Sequence, residues 1–486
     1  MTSKMVKDHP ISRLINLCDQ IGLRTVVWKG STKLKSVFDG VEDLDLLVEM
    51  NSEFTSLAAK IGFFEVVKPW FKSDMGLKDY IYFDTDGFCF HVHVHYILLF
   101  GGSVERNYCY PKENIFLDNR LWNDEFCVWE IPEIDDVNLF LKRHVVRKKI
   151  GLHTNFAEEF NSLVSRKSLE ISSFDIKAKD KEFSQMKLRG LSDIGKISQI
   201  RSLVKKNLSY FNISKGYFHN FIVFLNLCVD KMRVKLDILN NSSRRLNCGG
   251  IVVSFVGIDG SGKTTAIKRL RDKICSNIGV EIVTFGSGQS GAGFLRRCIF
   301  ALVGSQASLT GHKKVRSKVL TKESKVIFPL YYKLWIFLCL MDKKKALKKY
   351  FSAKMKGKIV LVDRWLQSNR PDALDYPRLG NMKIRTSFDK FLFEFEAEIY
   401  SIFDYLSPDL RIVLDVSPDV SVVRKPHDLT LEQAIFARDE LLSIAWPAKY
   451  TQIINADNSV IQVDEQILDS INKTLTNNQP SERNSS

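Results

Sequence analysis

The chain has 486 residues, too many for one hydrophobic core, and its 45% hydrophobic and 26% charged residues exclude a disordered or fibrous protein. Lys and Arg number 71 against 56 Asp and Glu, a net charge of +15 that suits anionic partners, whether phosphorylated metabolites, nucleic acid or acidic lipid, without choosing among them. Nine cysteines, an odd number with no C-x-x-C pair, exclude a regular disulfide framework and fit a reduced, cytoplasmic chain.

The opening stretch "MTSKMVKDHPISRLINLCDQIG" has no long apolar core and is not read as a signal peptide. Residues 1–115 then alternate helices with short apolar strands: "TVVWKG", "DLDLLVEM", "GFFEVV", "DYIYFDT" and "FCFHVHVHYIL". Residues 116–247 are mainly helical, with apolar positions three and four apart in "DVNLFLKRHVVRKKI" and "FHNFIVFLNLCVDKMRVKLDIL", and close on the polar boundary "NNSSRRLNCGG". A second α/β pattern fills 248–475, and 476–486 is a disordered tail.

Two later features bear on partners. Between Lys313 and Lys358 there are fifteen Lys or Arg against Glu323 and Asp342, either a solvated helix face or an anion-attracting rim. The apolar run from Val326 to Met341 is broken by Pro329 and Lys333, falls short of the roughly 20 residues a bilayer span needs, and is expected to be a buried helix rather than a transmembrane segment.

The chemistry concentrates in "IVVSFVGIDGSGKTT". A β-branched run suited to a buried parallel strand leads directly into Gly257-x-x-x-x-Gly262-Lys263-Thr264, the G-x-x-x-x-G-K-[ST] P-loop pattern. Glycines let backbone N–H groups wrap a polyphosphate, and the helix that follows points its positive end at it. Gly257, Asp259, Gly260, Ser261, Gly262, Lys263, Thr264 and Thr265 are therefore the expected ATP-binding set. Lys263 would neutralise phosphate charge and Thr264 would hold Mg²⁺.

The strand in "KGKIVLVDRW" delivers Asp363 to the carboxyl edge of the same sheet, to hold Mg²⁺ through water or to orient the nucleophile, with Arg364 placed to clamp an acceptor phosphate. A third strand, "LRIVLDV", ends at Asp415 and precedes "SPDVSVVRKPHD", where Arg424 and Lys425 would sit on a mobile loop able to close over the γ-phosphate.

"VGIDGSGKTT", "VDRW" and "PDLRIVLDVSPDVSVVRK" together resemble thymidylate kinase and its nucleoside monophosphate kinase relatives over roughly residues 250–470. The resemblance implies that Asp259 contacts the acceptor sugar hydroxyl, Arg364 binds the acceptor phosphate and Arg424 is the lid arginine. The chain departs from true thymidylate kinases after the D-R-W segment, where "LQSNRPDALDYPRLG" replaces the S-x-x-A-Y-Q-type motif that helps place thymidine. It looks instead like kinase-like proteins of bacterial surface-polysaccharide gene clusters, through Asp363, Arg364, Asp375, Pro377, Arg378, Arg424 and Lys425.

In the first half, "TVVWKGSTKLKSVFDGVEDLDLLVEM" carries a Gly30-Ser31 turn suited to a triphosphate, and Asp43 and Asp45 two apart on one strand face, suited to divalent metal. This resembles the nucleotidyltransferase fold of the DNA polymerase beta-type superfamily over about residues 10–100. That family's pattern calls for a third carboxylate near His93; Asp84 or Asp86 would supply it in a shifted register. Alternation puts His91, His93 and His95 on one face, either as packing and hydrogen-bonding residues or as transition-metal ligands.

The expected fold class is α/β: a C-terminal P-loop parallel sheet with flanking helices, an N-terminal α+β nucleotidyltransferase-like domain and a central helical segment. The expected function is phosphoryl transfer from Mg-ATP to a phosphorylated, sugar-bearing small molecule. A nucleic-acid end-modifying enzyme and a non-catalytic, nucleotide-gated assembly module are the alternatives; a homodimer is left open.

Overall fold

The computed structural model describes residues 3–51, 53–67, 76–84, 88–100, 108–133, 135–136, 139–140, 143, 244–247, 249–274, 277–286, 296, 327–367, 376–426 and 430–478. Most of the central helical segment, the basic stretch before residue 327, Asp86, Asp375 and residues 479–486 lie outside them. The chain divides into two compact units, the second running over 241–478 apart from a short excursion near residue 84. The described residues make an α/β protein with a mixed sheet, a parallel sheet and a two-stranded antiparallel ribbon of Leu99–Phe100 and Tyr108–Cys109. No helix among the described residues is long and apolar enough to cross a membrane.

In the first unit every stretch read as a strand forms one: β1 (Thr25–Lys29), β2 (Leu44–Val48), β3 (Phe64–Val67), β4 (Leu77–Phe83) and β5 (Cys89–His95). The short strands β6 (Leu121–Asn123) and β7 (Val128–Glu130) lie beyond β1 in the order β3-β4-β5-β2-β1-β7-β6. β2 runs parallel to β5 and antiparallel to β1, while β4 runs antiparallel to β5. Both faces of β1 and β2 are covered. Val27 and Leu46 join one core with helix α1 (Pro10–Gln20), whereas Val26, Trp28 and Leu47 join another.

The second unit is built on five parallel strands: β8 (Val252–Val256), β9 (Val280–Thr284), β10 (Ile359–Asp363), β11 (Leu410–Asp415) and β12 (Thr451–Asn455). Their order is β9-β10-β8-β11-β12. β8 and β10 are buried along their whole length, which explains why their sequences are continuous apolar runs rather than alternating ones. The chain leaves β8 toward one side of the sheet and later returns to the other. This reversal opens a crevice at the carboxyl end of β8, the place where open α/β sheets receive ligands.

Helix α2 (Lys263–Ile274) starts at that end and buries Ala266, Ile267, Leu270 and Ile274 as one stripe. α3 (Leu330–Met355) begins only after Pro329, which caps it in an extended conformation, and so starts later than the apolar run from Val326 suggests. Nor is it buried all round: Tyr332, Ile336, Cys339 and Leu340 are, while Leu330, Tyr331 and Leu334 are exposed. Lys344, Lys345, Lys348 and Lys349 are exposed too, so this stretch of α3 presents a solvated basic face. Lys343 is instead buried and donates to Tyr400 Oη at 2.8 Å, while Lys333 pairs with Asp389 and Lys358 with Glu281. α4 (Ser387–Tyr405) carries a Thr386–Asp389 capping box, as α7 (Val460–Asn477) does at Ser459. α7 extends to Asn477, into the segment expected to be a tail.

Candidate functional site

The loop from Gly257 to Gly262 joins β8 to α2 under tight steric constraint. Gly260 has φ +87°, and a Cβ there would lie 2.7 Å from the Ser421 carbonyl oxygen. At Gly257 a Cβ would meet Ser261 Oγ at 2.5 Å and the Leu414 carbonyl oxygen at 2.7 Å. The loop is thus pressed against the ends of β11 and α5 (Pro418–Arg424), and only glycine fits at these two points. Ser421 Oγ donates to the Asp259 carbonyl at 2.6 Å and fixes the outer side of the loop.

Lys263 opens α2 and folds back into the loop. Its Nζ donates to the carbonyls of Gly257 and Ile258, both at 2.8 Å. Burial, aided by the nearby Arg364 charge and opposed by Asp259 and Asp363, lowers its pKa to about 8. Thr264 Oγ1 donates to Asp363 Oδ2 at 2.9 Å, joining the head of α2 to the end of β10. Asp363 is buried, and its Oδ1 has no hydrogen-bond partner among the described residues. A buried carboxylate oxygen without a donor is costly. Next to a threonine hydroxyl and an ammonium-bearing loop, it matches the oxygen donor set of a hard divalent cation such as Mg²⁺.

Arg364 follows with φ +71°, a left-handed conformation that costs a non-glycine residue on the order of 1 kcal/mol or more. It turns the chain out of β10 so that Arg364 Nη2 reaches Asp259 Oδ1 at 2.8 Å. Arg424 ends helix α5 instead of lying on a mobile loop, because Ser417 and Pro418 supply a helix start with proline at the first turn. Its guanidinium donates to the Gly260 carbonyl at 3.4 Å and the Ala456 carbonyl at 3.3 Å, so it touches the loop. Thr265 lies exposed on the first turn of α2, and Ser261 is buried within the loop. Asp415, at the end of β11, is held by Arg438 of helix α6 (Leu431–Leu442) through two bonds of 2.7 and 2.9 Å. The amides of Arg378 and Leu379 donate to the buried Glu396, at 2.9 and 2.8 Å; burial raises that carboxyl's pKa against their opposing effect.

In the first unit Gly30 is left-handed and precedes the buried Ser31, whose hydroxyl bonds to Asp136. Asp43 lies just before β2 and Asp45 within it. Asp45 is taken by Lys29 at 2.7 Å and by His95 Nε2 at 3.2 Å. Asp43 faces His91 Nδ1 at 2.9 Å and His93 Nε2 at 3.2 Å. Burial works against ionisation of Asp43, but the hydrogen bonds from His91 and His93 outweigh it and hold the carboxyl well below the usual range. For Asp45, burial is likewise outweighed, by the Lys29 charge and the His95 bond.

On the β4 side, the carboxylate beside His93 is not Asp84. It is Asp79, which lies directly across from His93 in the β4–β5 pairing and bonds its Nδ1. Asp84 follows the end of β4, and Asp86 is outside the described residues. Lys29, Asp79, Asp136 and Ser421 are the contributors that the sequence motifs did not single out. Asp79 had a signal: "DTDGF" marks a hairpin turn, and counting outward from it pairs residue 79 with residue 93.

No family model matches the chain, and no curated protein matches it.

Proposed function

We propose that the chain is an ATP-dependent phosphotransferase, acting through its second unit on a phosphorylated, sugar-bearing small molecule. One observation carries this reading: Thr264 and Asp363 meet at the crevice of a parallel sheet, with the buried Asp363 Oδ1 left without a donor among the described residues, beside a lysine-bearing glycine loop.

Thr264 and Asp363 would hold Mg²⁺, which when bound neutralises charge on the transferring phosphates. The residues of the chain do the positioning. Loop amides and the head of α2 bind the polyphosphate; Lys263 exchanges its two carbonyl partners for phosphate oxygens. Arg364, now paired with Asp259, offers a planar two-donor fork to an acceptor phosphate, and Asp259 is released toward the acceptor's sugar hydroxyl. Arg424, already on the loop at Gly260, adds positive charge where negative charge builds up. Such a site accelerates transfer mainly by alignment and charge stabilisation. The resemblance to thymidylate kinase-like proteins supports the reading, while the missing thymidine-placing segment argues for an acceptor other than dTMP.

The first unit is read as a nucleotidyltransferase-like domain. Its Asp45 is already engaged by Lys29, which argues against two-magnesium transfer there.

The test is transfer of label from γ-labelled ATP to a panel of nucleoside monophosphates, sugar phosphates and oligonucleotides. Label on a small phosphorylated acceptor that is lost in Lys263→Ala supports the proposal. Label on oligonucleotides alone favours the end-modifying alternative, and ATP binding with no labelled acceptor favours the assembly module.

A further inference from the structure

The mixed sheet of the first unit brings two imidazoles and a carboxylate to one point. β5 presents His91 and His93 on the same face, and Asp43 approaches from the start of the neighbouring β2. One ligand atom from each of the three lies within 4.8 Å of the others. Zinc binds nitrogen and oxygen at about 2.0–2.2 Å, which places tetrahedral ligands roughly 3.3 Å apart. Asp43 Oδ1 lies 2.9 Å from His91 Nδ1 and Asp43 Oδ2 lies 3.2 Å from His93 Nε2, so the two oxygens of one carboxylate span the rings at close to that spacing.

The surroundings are those of a ligand set. Asp79 bonds His93 Nδ1, leaving Nε2 turned to Asp43. A carboxylate on the far ring nitrogen is the usual partner of a metal-bound histidine, fixing its orientation and raising its basicity. Asp45 is drawn away by Lys29 and His95, so it does not compete for this point. Two imidazoles and one carboxylate suit borderline transition metals, whereas Mg²⁺ takes oxygen ligands.

We propose that Asp43, His91 and His93 form a binding site for a divalent transition-metal ion of the zinc class, with Asp79 as the positioning residue for His93. The Asp43 side chain is 48% exposed, so the site opens to solvent. Three protein ligands with an open side is the composition of zinc sites that accept water or a ligand rather than of closed structural ones. The site belongs to the first unit and stands independently of the phosphotransferase reading.

The test uses the full chain, stripped with a chelator and titrated with Zn²⁺ by calorimetry in excess Mg²⁺, with Co²⁺ absorption as a second readout. The expected result is one ion per chain that Mg²⁺ does not displace, a tetrahedral-type Co²⁺ spectrum, and loss of both in the His91→Ala/His93→Ala double variant. Asp79→Asn keeps all three ligands and should weaken Zn²⁺ by about 10- to 100-fold. Circular dichroism checks the fold; if the double variant is unfolded, Asp79→Asn decides, and unchanged affinity there overturns the proposal. Zinc held equally by wild type and a folded double variant, bound by neither, or displaced by Mg²⁺ also overturns it.

Discussion

Asp363 carries most of the chemistry proposed for the second unit, and its two oxygens have different roles. Oδ2 accepts from Thr264, while Oδ1 is buried without a donor among the described residues. Asp363→Asn preserves the shape but removes the charge, and steady-state kinetics should show kcat down by about 10²-fold or more, the scale on which charge-stabilising groups act. Lys263→Ala should fall at least as far. Gly260→Ala tests the loop itself: a Cβ 2.7 Å from the Ser421 carbonyl at φ +87° should cost about 1–3 kcal/mol in denaturant unfolding. At this scale the sequence was legible wherever a motif is contiguous, as in the run from Gly257 to Thr264. It was less legible where partners come from distant strands. Ser421 touches the loop across 162 positions, a contact no local pattern announces.

Single elements explain both the successes and the misses. The buried strands of the second unit could be read because a run apolar on both faces has few other uses. Arg424 was expected on a loop because "SPDVSVVRKPHD" holds two prolines, yet the first of them starts a helix and only the second follows its end. Asp79 was missed because strand alternation gives a residue's face, whereas its partner depends on register.

Helix α1 supplies a pH prediction. His9 precedes it, accepts from the Ile11 amide at 3.3 Å and packs its ring against Phe38 and Phe90. Burial lowers its pKa from 6.5 to about 4, outweighing the Phe38 backbone bond and the Asp39 charge, which raise it. Between those values the unfolded chain binds the proton more readily. The His9 contribution is therefore complete above about pH 6.5 and is lost as pH falls toward 4, by at most about 3 kcal/mol. Thermal unfolding of the first unit should show this acid-side loss, and His9→Gln should flatten it.

For the whole molecule, two compact units with separate candidate sites predict separable ligand effects. A ligand that binds only the folded state at 100 times its Kd stabilises by about 2.7 kcal/mol. Hydrogen exchange with Mg-ATP should slow in β8, β10 and α2 of the wild type and not in Lys263→Ala. The exposed lysines of α3 belong to the same unit and account for part of the +15 charge without requiring nucleic acid.

Calorimetric titration with ATP, with and without Mg²⁺, across wild type, Lys263→Ala and Asp363→Asn, probes the polyphosphate and magnesium site itself. The wild type should bind in a magnesium-dependent manner, Lys263→Ala should lose binding, and Asp363→Asn should bind without responding to magnesium. No binding by the wild type, or unchanged magnesium-dependent binding by both variants, would contradict that site assignment.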